Sequence, residues 1–288
     1  MAERIVPVGD VKIWTEALGD PADPPLLLVT GAAASAMSWP DELVELLVAG
    51  DHRVIRYDHR DTGRSTRRDF ASHPYGFADL ARDAVGVLDG YGIDAAHVVG
   101  ASMGGVLGQL LAIDHRDRLR TLTVMISTGL DVFFLDDAGG LPTPDQGVMN
   151  AVLAVLTEPA ADREVELDRR VAVWRMLAGD VLTFDPEEAR QWEERAIDHA
   201  GDLASTTAHA LATPPPLARR AELGGITAPT LVIQGTEDPL FPPPHGRHLA
   251  DMIPGARLVE IPGMGHVMPS VVHRPLADAI LAHTHQHP

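Results

Sequence analysis

The stretch His97–Ile113, HVVGASMGGVLGQLLAI, narrows the possible folds more than any other part of the chain. An apolar run enters Gly100-Ala101-Ser102-Met103-Gly104, and a run with apolar residues at helical spacing leaves it. This is Gly-x-Ser-x-Gly between a strand and a helix. The central serine of such a pentapeptide sits on a turn too sharp for ordinary backbone angles. Glycines are needed two residues to either side because strand and helix pass too closely there to admit side chains. The Ser102 hydroxyl then stands clear above a sheet, and the N–H of Met103, at the start of the helix, points toward the group the hydroxyl would attack.

The rest of the chain supplies the sheet. Gly9-Asp10 joins two short strands, around Ile5–Val8 and Val11–Thr15, as a hairpin. Strand-like runs then follow at Pro25–Thr30, Arg53–Tyr57, His97–Gly100, Leu122–Ile126, Thr230–Gln234 and Arg257–Ile261. Several are continuously apolar, which marks strands of a parallel sheet buried on both faces. Helical patterns at Pro40–Val48, Phe77–Leu88, Val106–Ile113 and His245–Met252 separate them. The alternation predicts a doubly wound, mostly parallel α/β sheet. From about Leu130 to Leu223 the rhythm stops. Amphipathic helices are expected there at Val148–Leu156, Glu164–Leu177 and Pro186–His199, the last capped by Asp185. We therefore expect residues 1–129 and 224–288 to form the core, and residues 130–223 a helical cap inserted between two strands.

Composition sets bounds. A chain of 288 residues, 45% of them hydrophobic, suits one such domain with its insertion. No apolar run approaches the roughly 18 residues of a membrane span, and MAERIVPVGD has no signal-like apolar core, so a cytoplasmic protein is expected. The absence of cysteine removes thiolate chemistry and Cys-based metal sites. A net charge of −18 disfavours nucleic acid and anionic membrane as partners. The expected partner is a small-molecule ester, with no metal and no cofactor. Nothing in the sequence speaks to oligomeric state.

A serine hydroxyl needs a base. In the α/β-hydrolase fold, which the serine turn and the sheet pattern together indicate, the acid and then the histidine follow the serine on loops after later strands. Thr230–Gln234 leads into Gly235-Thr236-Glu237-Asp238-Pro239, and Arg257–Ile261 leads into Pro262-Gly263-Met264-Gly265-His266. Among 14 histidines, only His266 follows a strand, read as buried, through a glycine-rich turn. His283, His285 and His287 read as a solvated polar tail. Asp238 is the expected acid, with Glu237 and Asp131 as rivals. The second N–H donor for a developing oxyanion should come from Thr30-Gly31-Ala32-Ala33-Ala34-Ser35, at Ala32, alongside Met103. Phe133, Phe134, Trp174 and Trp192 are the aromatic residues expected to line the pocket, with Phe184 a fifth candidate in the cap.

Tyr57-Asp58-His59-Arg60-Asp61-Thr62-Gly63-Arg64-Ser65 resembles the D-x-R-G-x-G-x-S loop of α/β-hydrolases, with Asp61 where glycine is usual. Together with the stretch that follows it and with WEERAIDHAG near the end of the cap, it is similar to the anthracycline (aclacinomycin- and rhodomycin-type) methylesterases of polyketide biosynthesis. That resemblance implies hydrolysis of a methyl ester on a bulky aromatic polyketide. The chain departs from it at Thr30-Gly31-Ala32-Ala33, where Met-Gly-Gly-Asn is expected, and around Leu135–Gly147. A C–C bond hydrolase or a cofactor-free perhydrolase would use the same three residues, and a non-catalytic receptor of this fold could retain them.

Overall fold

The structure is a computed structural model that describes residues 2–130, 132, 140–157, 160–203, 212–215 and 217–288. Strands β1 (Ala2–Val8) and β2 (Val11–Leu18) form the hairpin about Gly9, whose φ of 55° places it in the left-handed region. They continue into β3 (Pro25–Val29), β4 (Arg53–Tyr57), β5 (Ala96–Ala101), β6 (Leu119–Met125), β7 (Thr230–Gly235) and β8 (Arg257–Ile261). These make one sheet in the order β1-β2-β4-β3-β5-β6-β7-β8. The pairs β1–β2 and β2–β4 are antiparallel, and every pairing from β4 to β8 is parallel.

Helices cover both faces, as a sheet of continuously apolar strands requires. On one face α2 (Phe77–Gly90), α3 (Met103–Asp114) and α7 (Pro244–Met252) pack their apolar sides on residues such as Leu27, Val98 and Leu122. On the other, α1 (Asp41–Ala49) and α8 (Ser270–Thr284) bury Leu43, Leu47, Val272, Leu276 and Ile280 against Leu28, Val99 and Ile233. Helix α3 packs on β5 and β6 and against α2 and is buried throughout Met103–Ala112, which explains its apolar character all round. Between β6 and β7 the chain forms α4 (Gln146–Thr157), α5 (Arg163–Leu177) and α6 (Pro186–Ala200). Asp162 and Asp185 cap α5 and α6 through hydrogen bonds from the second and third helical N–H groups. Among the described residues no helix is long and apolar enough to cross a membrane.

Two expectations change. Strand β8 is not buried on both faces: as the last strand of the sheet it leaves Arg257 and Glu260 exposed, and only Ile261 is buried. The histidine tail is solvated only in part, with His285 exposed and His283 buried. Helix α8 runs to Thr284 because Val272, Leu276 and Ile280 keep a four-residue apolar spacing against the sheet. His283 is buried and its Nε2 donates to the Pro229 carbonyl at 3.2 Å, while His285 stacks on His52 with ring centroids 5.3 Å apart.

Buried imidazoles make the fold sensitive to acid. Burial pulls the pKa of His97 down to about 3, helped by the nearby His52, and that of His59 down to about 4. Each is neutral in the folded protein over a range where the unfolded chain, near 6.5, binds a proton. Their stabilisation is therefore complete above about pH 6.5 and is lost as pH falls toward the folded values. We expect each to cost about 2 kcal/mol of stability at pH 5 relative to pH 7. Thermal midpoints measured at the two pH values should show the fall, and His97→Gln should flatten it while lowering the midpoint at pH 7.

Candidate active site

Ser102 sits between β5 and α3 with φ 54° and ψ −121°, a conformation that side chains rarely adopt. The glycines around it are sterically required. A Cβ on Gly100 would lie 2.1 Å from the Gly104 carbonyl oxygen, and one on Gly104 would lie 2.1 Å from that of Val29. The turn is pinned from both sides. The Ser102 N–H donates to the Met125 carbonyl at 3.0 Å, and the Ser127 hydroxyl donates to the Ser102 carbonyl at 2.7 Å.

The loops after β7 and β8 reach the same place because those strands lie side by side next to β6. His266 Nε2 is 3.1 Å from Ser102 Oγ, and His266 Nδ1 is 3.1 and 2.9 Å from the two Asp238 oxygens. A carboxylate only accepts, so Nδ1 carries the proton and Nε2 offers its lone pair to the serine. Asp238 is buried and is itself fixed: one of its oxygens accepts the N–H groups of Leu240 and Phe241, both at 2.9 Å. The two rivals to Asp238 stand differently. Glu237 is exposed, and Asp131 lies outside the described residues. His245 is buried between the Thr128 hydroxyl and the Pro142 carbonyl, a structural position.

The loop after β3 lies against Ser102: a Cβ on Gly31 would come within 3.7 Å of Ser102 Oγ. Ala32 lines the same cavity as Ser102 and His266, and Ala33 adopts φ 59°. With Thr30 at the first place the loop lacks a histidine of its own, yet it is supported from the next strand. His59 Nε2 donates to the Thr30 carbonyl at 3.1 Å, and the Thr30 and Ser38 hydroxyls are 2.6 Å apart. The sequence signal for this support was its place directly after β4, within the Asp58–Ser65 loop. That signal carries no information about where the ring points.

The cavity above Ser102 has a volume of about 250 Å³ and is mostly apolar. Helices α4, α5 and α6 wall it. Trp174 and Trp192 both line it, edge to face with centroids 6.0 Å apart. Trp174 is oriented by its Nε1–H, which donates to Glu193 at 2.6 Å, and Arg170 donates to the other Glu193 oxygen at 3.0 Å. Phe184 does not line the cavity. It packs in a cluster around Leu177 and Val267, with the Arg175 guanidinium 5.9 Å from its ring. Phe133 and Phe134 lie outside the described residues. Trp39, fully buried beside α1, lines the cavity floor and was not anticipated. Among the described residues no cluster of three or more His, Asp or Glu could hold a metal ion.

Residues 24–270 match the family described as the alpha/beta hydrolase fold, and the chain belongs to that family. Two relatives match nearly the whole chain. Rhodomycin D methylesterase DnrP of Streptomyces peucetius is 52% identical over 294 residues, covering 99% of this chain and 98% of its own. Rhodomycin D methylesterase DauP of Streptomyces sp. (strain C5) matches with the same identity and coverage. Among solved structures, a hydrolase from Pseudomonas aeruginosa PA01 superposes with a TM-score of 0.72 at 26% identity, over 98% of each chain. With such relatives the chain is an enzyme, a hydrolase of the esterase class.

The serine turn gives a stability prediction. Gly104→Ala places a methyl group against two backbone carbonyls, Val29 at 2.1 Å and Thr30 at 2.6 Å, neither of which can swing away. The variant should lose about 3 kcal/mol or more, at the upper end of overpacking costs. Denaturant midpoints compared with wild type measure it.

Proposed function

We propose that this enzyme hydrolyses the methyl ester of a bulky aromatic, anthracycline-like polyketide through an acyl-enzyme, with Ser102 as nucleophile, His266 as base and Asp238 as orienting acid. The observation that carries the mechanism is the continuous hydrogen-bond line from Asp238 through His266 to Ser102, opening into an apolar cavity. In acylation Ser102 Oγ attacks the ester carbonyl carbon and its proton passes to His266 Nε2. The tetrahedral oxyanion lies against the N–H groups of Met103 and Ala32; losing one such donor typically costs about 10²–10³-fold in rate. Collapse expels methoxide, which takes the proton from the imidazolium and leaves as methanol. Water, deprotonated by the same nitrogen, then attacks the acyl-serine, and collapse breaks the acyl–Oγ bond, with Ser102 Oγ taking the proton from His266 as the carboxylic acid leaves.

The substrate class follows from the 52% identity to two rhodomycin D methylesterases and from the walls of the cavity. We take residues 130–223 as the cap, whose Trp174 and Trp192 offer ring faces to an aromatic acyl group. Such contacts contribute about 0.5–1.5 kcal/mol each beyond burial. Ligand pockets commonly measure roughly 300–1,000 Å³, so a polycyclic acyl group would outgrow about 250 Å³. It must protrude through the mouth or displace the cap. Nothing described at the site favours C–C cleavage or perhydrolysis over ester hydrolysis, and the two methylesterase relatives favour the ester.

Two outcomes are expected. Ser102→Ala should lower turnover of an activated aryl ester by about 10⁴–10⁶-fold and leave the thermal midpoint within a few degrees of wild type; activity within tenfold of wild type would remove the serine mechanism. In substrate preference, kcat/KM should be at least about tenfold higher for the methyl ester of a polycyclic aromatic acid than for that of a short aliphatic acid, from two stacking contacts. Trp192→Ala should erase most of that ratio. Equal efficiencies in the wild-type enzyme would leave a general esterase without the proposed acyl preference.

A further inference from the structure

The geometry points to the turn between α5 and α6, residues 177–182, as a positioning element for His266, so that seating of the cap and assembly of the Ser102–His266 hydrogen bond are one event. This rests on the triad reading above. The backbone N–H of His266 is not bonded to the sheet or to its own loop. It donates to the carbonyl of Leu177, the last residue of α5, at 2.7 Å.

The contact is backbone on backbone. A Cβ on Gly265 would lie 2.3 Å from the Leu177 carbonyl oxygen and 2.4 Å from the Ala178 carbonyl carbon, so only glycine lets the cap turn come this near. The cap side has the matching device. Gly179, at φ 73°, would place a Cβ 2.6 Å from the Cβ of Glu237, the neighbour of Asp238. The surrounding side chains agree. Val267, next to His266, is buried in a cluster with Val148 of α4 and Leu177 and Ala178 at the end of α5, and Leu240 of the acid loop packs against it. The start of α4 is also tied to the acid loop, with the Asp145 N–H donating to the Pro239 carbonyl at 3.1 Å.

The two loops that carry the acid and the base thus share a small apolar core with the cap. The sheet holds Ser102, and the cap holds the partner of Ser102. Displacing the cap for a large acyl group would break the Leu177–His266 bond, and the base would reach its working distance only when the cap seats again. A misplacement of about 1 Å in reacting groups can cost about a hundredfold in rate.

The test perturbs the contact from the cap side, away from the reacting atoms. In Gly179→Ala, kcat for p-nitrophenyl acetate should fall at least tenfold with KM little changed, although acetate is too small to need the cap for binding. The rate at which a small fluorophosphonate labels Ser102 should fall by a similar factor. Gly265→Ala, from the loop side, should behave alike. Unchanged acetate turnover and unchanged labelling in a folded Gly179→Ala protein would overturn the inference, while loss of activity in Ser102→Ala would still uphold the triad. Activity persisting in Ser102→Ala would instead remove the triad reading itself. If the glycine variants do not fold, amide hydrogen exchange on the wild-type protein decides. The His266 amide should be protected in step with the amides of α5, and a His266 amide exchanging more than tenfold faster than these would refute the coupling.

Discussion

The backbone of Ser102 is the constraint around which the rest of this structure is arranged. A non-glycine residue at φ 54° and ψ −121° is held at a cost of about 1–3 kcal/mol. That cost is sustained only because the neighbouring strands grip the turn. Strand β5 lies between β3 and β6, so the loop after β3 packs on one side of Ser102 and the start of the β6 loop bonds to it on the other. The order β5-β6-β7-β8 then brings the ends of β7 and β8 next in line, and the two loops that follow carry Asp238 and His266. The convergence of residues 136 and 164 positions from Ser102 in sequence is a property of strand order, with each group delivered at the carboxyl end of a parallel strand.

This explains which parts of the molecule were legible in the sequence. Buried parallel strands write themselves as unbroken apolar runs, and six parallel strands and seven helices fall where those runs and the helical spacings place them. The serine turn was legible because its glycines are demanded by carbonyl oxygens about 2 Å from any added Cβ. The reach of helix α8 into the tail was obscured because His283 and His285 read as polar while Val272, Leu276 and Ile280 hold it to the sheet. The edge character of β8 depends on what pairs beyond it, which no local pattern records. The cap aromatics show the same boundary at finer grain. Trp174 and Phe184 both pack against the cluster around Leu177 and Val267, yet only Trp174 also lines the cavity. Trp174 is on α5 and Phe184 in the segment between α5 and α6, and which ring reaches the cavity is a tertiary fact.

The manner in which α6 is held follows from its poverty in apolar residues. Only Ala189, Ile197 and His199 are buried along it, too little surface to fix a helix through the hydrophobic effect alone. Polar links replace it. Arg195 bonds to the Met37 and Trp39 carbonyls and to Asp41, Arg64 donates to the His199 carbonyl at 3.0 Å, and His199 Nε2 lies 2.7 Å from Asp58. Buried pairs of this kind add little net stability, because desolvation offsets most of the attraction. What they supply is position, since a misplaced helix would take His199 away from the Asp58 carboxylate, which is fully buried.

Asp58 makes that position matter for chemistry. One of its oxygens accepts the Ala36 N–H at 2.8 Å, just beyond the loop carrying Ala32, and the other accepts the Arg64 N–H at 2.8 Å and faces His199. Gly63 is obliged to be glycine by the same carboxylate, since a Cβ there would fall 2.1 Å from it. A single buried group therefore sets both the small-residue loop beside Ser102 and the helix that carries Trp192 over the cavity. The reacting carbonyl would be bounded by the first and its acyl group by the second. Their separation is fixed through one carboxylate. The end of α5 is tied to His266 and α6 to Asp58, so the two helices that wall the cavity are anchored on opposite sides of the same serine.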